Sequence, residues 1–61
     1  MNLKVGQLWQ HNRNESTVLE IINCATFMNK FLVREIHSDI EYWYFDTMIY
    51  KNYHFVSGPQ P

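Results

Sequence analysis

The sequence predicts a very small all-β domain, a strongly bent sheet or barrel of about five strands. Three observations carry this. The chain has 61 residues, room for one domain at most, and a chain of this size buries only about 60% of the surface that it exposes when unfolded. Its apolar residues fall in short runs rich in β-branched and aromatic side chains, TVLEII, FLVREIH and IEYWYF, each bounded by polar turn formers. Aromatic residues make up 16% of the chain, and most of them crowd into the stretch from Ile40 to Val56, which holds no glycine or proline. With Cys24 the single cysteine, no intramolecular disulfide can staple the fold, so large rings must supply the contact that a short chain otherwise lacks.

The elements follow in order. Val5 to His11 reads as a first strand, with Gly6 at a bend or bulge near its start. Asn12 to Ser16 is a polar turn, because asparagine tolerates the left-handed backbone of tight turns. Thr17 to Ile22 is the second strand. Asn23 to Lys30 is read as loop or helix, with Phe27 tucked back onto the sheet. Phe31 to His37 is the third strand, and Ser38-Asp39 forms a two-residue turn into the fourth, Ile40 to Phe45. Asp46 starts a single 3₁₀ or helical turn, capping the amides of Met48 and Ile49. Tyr53 to Val56 closes the sheet. One domain thus spans residues 1–56, and Ser57 to Pro61 is expected to fray as a disordered tail.

This order, four strands, a helical turn and a short closing strand, resembles the SH3-like small barrels, the class that includes Tudor-type and KOW-type modules. Val5-Gly6-Gln7-Leu8-Trp9 near the start, and Trp43, Phe45, Tyr50, Tyr53 and Val56 near the end, resemble small accessory proteins of bacteriophage and prophage genomes. The chain lacks the ALYDY-like segment and acidic loop of peptide-binding SH3 domains and the glycine-lysine-rich loop of KOW modules. The resemblance therefore implies a fold and a phage setting, and transfers no groove or loop to named residues.

Composition excludes several function classes. No stretch approaches the roughly 20 apolar residues of a membrane span, and the start has no secretory pattern, so a cytoplasmic protein is expected. The net charge is −1, and Lys4, Arg13, Lys30, Arg34 and Lys51 are scattered among acidic residues, which disfavours nucleic-acid binding without excluding a patch of Lys4, Arg34 and Lys51. His11, His37, His54, Cys24 and Asp39 show no Cys-x-x-Cys or His-x₃-His spacing, so no metal or cofactor is expected. Without an activated nucleophile or an oxyanion hole, Cys24 is a small buried hydrophobe and the chain is not an enzyme.

The rings then carry the functional expectation. Along a strand neighbours face opposite sides, so Ile40, Tyr42 and Tyr44 share one face while Glu41, Trp43 and Phe45 share the other. Both are aromatic. The expected core is Val5, Leu8, Leu19, Ile21, Val33, Ile36, Trp43, Phe45, Ile49 and Phe55, with Trp43 central. The expected binding face is Trp9, Tyr42, Tyr44, Tyr50 and Tyr53, since tyrosine pairs an apolar ring with a hydroxyl that can stay wet. That face points to a non-catalytic module binding a host protein or its own copy as a homodimer. Base stacking in a nucleic-acid module and an aromatic cage for methyl-lysine are the alternatives.

Overall fold

The computed structural model describes residues 3–25 and 28–61. Its elements are β1 (Leu8–His11), β2 (Val18–Ala25), β3 (Lys30–Glu35), β4 (Ile40–Phe45), α1 (Asp46–Asn52) and β5 (Tyr53–Ser57). All four strand pairings are antiparallel, and the strands lie in the order β4-β3-β2-β1-β5. The all-β reading therefore holds as a five-stranded antiparallel sheet with one short helix before the last strand. The sheet is not closed, because β4 and β5 remain its two edges. No helix among the described residues is long and apolar enough to cross a membrane.

Alternation along the strands, interrupted by register shifts in β1 and β2, decides which rings are inside. Leu19 and Ile21 of β2 are fully buried, and Ile21 stands opposite Val33 of β3, also fully buried. Val33 in turn stands opposite Tyr42, and Phe31 opposite Tyr44. The inward face of β4 is therefore that of Tyr42 and Tyr44. From α1 the core receives Ile49, and Phe31, Tyr44 and Phe55 pack against its rim. Leu19, Ile21, Val33 and Ile49 lie in the core as expected, and Leu8 and Phe55 are half-buried.

Four members of the expected core lie outside it: Val5, Ile36, Trp43 and Phe45 are exposed. For Trp43 and Phe45 the two faces of β4 are inverted relative to the expectation. Their shared face also carries Glu41, whose register partner is Arg34, and a charged pair in that row keeps the whole row in water. Ile36 leaves the core because the β3–β4 turn is longer than two residues. The Glu35 carbonyl accepts the amides of Ser38 (3.3 Å) and Asp39 (2.8 Å). Its carboxylate accepts those of His37 (3.2 Å) and Ser38 (2.8 Å). Residues 36–39 become a loop, with Asp39 in the left-handed region at φ 60°. A hydrogen bond from the Ser38 side chain foremost, with the His37 and Ser38 amides adding to it, holds the Glu35 carboxyl below its ordinary pKa.

At the other end of the chain, β2 runs on to Ala25, so residues 23–25 are strand and not loop. A register shift between Ile21 and Asn23 accommodates the extension. Thr26 and Phe27, the latter expected to tuck onto the sheet, lie outside the described residues. Cys24 is exposed and not buried. The helix spans seven residues, nearly two turns instead of one, and its N-cap is Phe45. Asp46 sits one position inside and accepts from its neighbour Thr47 (2.7 Å) instead of capping Met48 and Ile49.

The segment expected to fray begins inside β5, where Ser57 pairs with Leu8. Beyond it the Pro59 carbonyl accepts a hydrogen bond from Gln7 Nε2 at 2.7 Å. Gly58 makes the turn between them at φ 106°, and a Cβ there would stand 2.7 Å from the Gly6 carbonyl oxygen. Only glycine fits that approach.

Trp43→Ala removes a ring that is 49% exposed and loses little more than a cross-strand pair with Leu32, worth about 0.2–1 kcal/mol. Its thermal unfolding is expected to stay cooperative, with a midpoint within a few degrees of the parent. Loss of the cooperative transition would put Trp43 back in the core.

Candidate recognition face

The residues expected to form one exposed face do not. Trp9 is 2% exposed. It stands between Leu19 on β2 and Phe55 on β5, meets Phe55 and Tyr50 edge-to-face at centroid distances of 5.8 and 6.0 Å, and its Nε1 donates to Gln7 Oε1 at 3.0 Å. A register shift between Leu8 and Trp9 on the β5 side helps seat the indole inward, leaving Leu8 half-buried. Tyr53 is 7% exposed. Tyr44 is half-buried, while Tyr42 and Tyr50 sit at the margin of exposure.

These rings form two edge-to-face groups. Trp9, Tyr50 and Phe55 are one. The other joins Tyr42 to Tyr44 at 5.5 Å, Tyr44 to Tyr53 at 6.3 Å, and Tyr53 to His11 at 4.9 Å, all edge-to-face. The second group also links β4 to β5 across the open side of the sheet.

Burial pushes the Tyr53 hydroxyl well above its ordinary value, with the neighbouring Tyr42 and Tyr44 adding to the shift. Burial likewise raises Tyr42, which is hydrogen-bonded to Tyr53. A hydroxyl whose folded pKa exceeds its unfolded one stabilises the fold fully below the unfolded value, and that stability drains away as pH climbs past it. The thermal midpoint is therefore expected to be level between about pH 8 and 9 and to fall above about pH 10, with a shallower fall in Tyr53→Phe. An equally steep fall in Tyr53→Phe would assign the alkaline loss to other groups.

Apolar side chains are exposed at several places, among them Val5, Met28, Ile40 and Val56, but the most exposed aromatic rings lie on the outward row of β4, beside β3. Leu32 stands opposite Trp43, and Lys30 opposite Phe45. Trp43 and Phe45 are about half exposed, at 49% and 50%. Lys30 Nζ sits 5.1 Å from the Phe45 ring centroid, a cation–π contact. The neighbouring positions are polar: Arg34 donates to Glu20 at 2.7 Å, a bond that raises the guanidinium's pKa still further, and Glu41 is its register partner on β4. The result is two aromatic rings and a leucine framed by charges of both signs, the anatomy of a small recognition patch. Reasoning from ring count missed it. The signal was present in Lys30, Arg34 and Glu41, which by alternation share the row of Leu32, Trp43 and Phe45.

A second feature lies at the junction of β1 with the end of α1. A cleft of about 510 Å³ is lined by His11, Asn12, Arg13, Lys51 and Asn52. The Asn12 amide donates to the Asn52 carbonyl at 2.8 Å, and the Arg13 amide donates to His11 Nδ1 at 3.1 Å, so the walls are tied together. Two cations and no carboxylate border it. Lys4, Arg34 and Lys51, the patch expected from sequence, are not gathered there; Arg13 is the partner of Lys51.

No group of three or more His, Cys, Asp or Glu side chains among the described residues could hold a metal ion. Compared with protein-family models, with curated proteins and with solved structures, the chain matches none.

Proposed function

We propose that this chain is a non-catalytic binding module on an open SH3-like barrel, and that it holds a protein partner against Leu32, Trp43 and Phe45. The carrying observation is that Trp43 and Phe45, side by side on an edge strand, are each about half exposed. Large rings left in water on a chain this short are surface withheld from folding, and interface cores favour aromatic anchors ringed by charge. The barrel assignment is supported by four strands in succession, a short helix and a closing strand paired to the first, with Tyr44 and Tyr53 in contact across the opening. A phage or prophage accessory role is the setting that the sequence resemblance implies.

The test compares recovery of bound protein by the parent with that by Trp43→Ala/Phe45→Ala and by Arg13→Ala/Lys51→Ala, all checked for folding by circular dichroism. Loss in the aromatic variant alone is expected. Equal recovery by all three would sink the reading.

The cleft supports a second reading, that a nucleic-acid strand lies along Arg13 and Lys51. An oligonucleotide complex would weaken steeply with added salt, would be lost in Arg13→Ala/Lys51→Ala, and would be indifferent to Trp43→Ala.

A further inference from the structure

The backbone of β4 offers a more specific partner. Beyond the last pair of the β3–β4 ladder, Lys30 with Phe45, the Asp46 amide donates to the Asn29 carbonyl at 3.1 Å. Residues of an antiparallel ladder alternate between bonding to the neighbour and pointing away from it. Stepping back from Asp46, residues Tyr44, Tyr42 and Ile40 bond toward β3, so Phe45, Trp43 and Glu41 aim their amides at the free edge. The free backbone groups and the exposed rings belong to the same residues. Such an edge is a template for another strand.

We infer that β4 pairs antiparallel with β4 of a second copy of this chain, about a two-fold axis at Trp43. The inference rests on the proposed recognition role of the Leu32–Trp43–Phe45 face and names its partner. Three registers can be weighed. An axis at Glu41 would set two carboxylates against each other. An axis at Tyr42 would leave the Phe45 amide outside the ladder. With the axis at Trp43, each Trp43 amide meets the carbonyl of the other Trp43, and each Phe45 amide meets the carbonyl of the other Glu41. The symmetry makes every contact reciprocal.

Charge agrees with that register. Glu41 would lie beside the second copy's Phe45, over which the Lys30 ammonium already sits at 5.1 Å from the ring. Within its own chain the nearer cation, Arg34, is engaged by Glu20 at 2.7 Å. The acidic and basic ends of the outward row are thus complementary when the strand is turned end for end, and cross-strand pairs of opposite charge favour the ladder. On the inward face the same register sets Tyr42 against the second copy's Tyr44.

Sedimentation equilibrium on the full chain tests this. The weight-average mass is expected to rise with concentration from the 7.4 kDa monomer toward the dimer. Glu41→Pro removes an edge-facing amide while sparing the ladder to β3, where an edge proline is tolerated, and should weaken the dimer about tenfold or more. Because that variant can also disturb folding, a charge series stands beside it. Glu41→Lys should weaken the dimer, and Lys30→Glu added to Glu41→Lys should restore it. A parent that stays monomeric at millimolar concentration overturns the inference, as does a dimer indifferent to both the proline and the charge series. A monomer that still loses a bound protein in Trp43→Ala/Phe45→Ala overturns self-pairing alone and leaves the recognition reading standing.

Discussion

Trp9→Ala is expected to remove most of the protein's stability. The indole is 2% exposed, touches Tyr50 and Phe55 edge-to-face, and sits beside Leu19. Truncating a large buried ring costs about 3–5 kcal/mol through lost transfer energy and the cavity left behind. Against a total of about 5 kcal/mol at the low end for small domains, that leaves a population partly unfolded at room temperature. Urea denaturation followed by circular dichroism should show a midpoint shifted far toward zero, or no folded baseline. A midpoint close to that of Trp43→Ala would mean that the two tryptophans carry equal weight, and the assignment of inside and outside to the sheet would fail.

The second large effect is expected at Gln7, a polar side chain with no exposure at all. Its Oε1 accepts from the Lys4 amide at 2.9 Å and from Trp9 Nε1 at 3.0 Å, while its Nε2 donates to the Pro59 carbonyl at 2.7 Å. One amide thereby joins the segment before β1, the central indole and the segment after β5. Gln7→Leu keeps nearly the same volume but leaves the Trp9 Nε1 proton buried without an acceptor. An orphaned buried donor costs about 1–3 kcal/mol, and freeing the Pro59 carbonyl adds to it. Gln7→Leu should therefore be clearly less stable in urea than the parent, despite being more apolar. A more stable variant would show that burial at this position matters and its hydrogen bonds do not.

Much of the fold was legible because strands announce themselves by composition. The run IEYWYF forms β4 with the expected bounds, and the interruption at Asp46 marks the helix start. Facing was harder. For β2 and β3, Leu19, Ile21 and Val33 have charged neighbours in Glu20 and Arg34, and alternation sorts them correctly. In β4 rings occupy both rows, so apolarity cannot choose between them; the decision lies with Glu41, and with Arg34 across the ladder. In β1 the choice between Leu8 and Trp9 turns on Gln7, which shares the inward row with Trp9. No composition argument places a glutamine in a core, because its burial depends on acceptors and donors brought from residues as far along the chain as Pro59. The β3–β4 turn was misjudged for a similar reason. Glu35 looks like a strand residue until its carboxylate and carbonyl are seen gathering the amides of the loop.

The opposed placement of the two tryptophans also equips the molecule with two separate optical reporters. Trp9, enclosed and hydrogen-bonded, should emit toward the blue and resist an aqueous quencher such as iodide. Trp43, half in water, should emit further to the red and be quenched readily. The short-wavelength component then follows integrity of the core and the long-wavelength component follows occupancy of the outer row, so unfolding and association can be watched separately in one unlabelled sample.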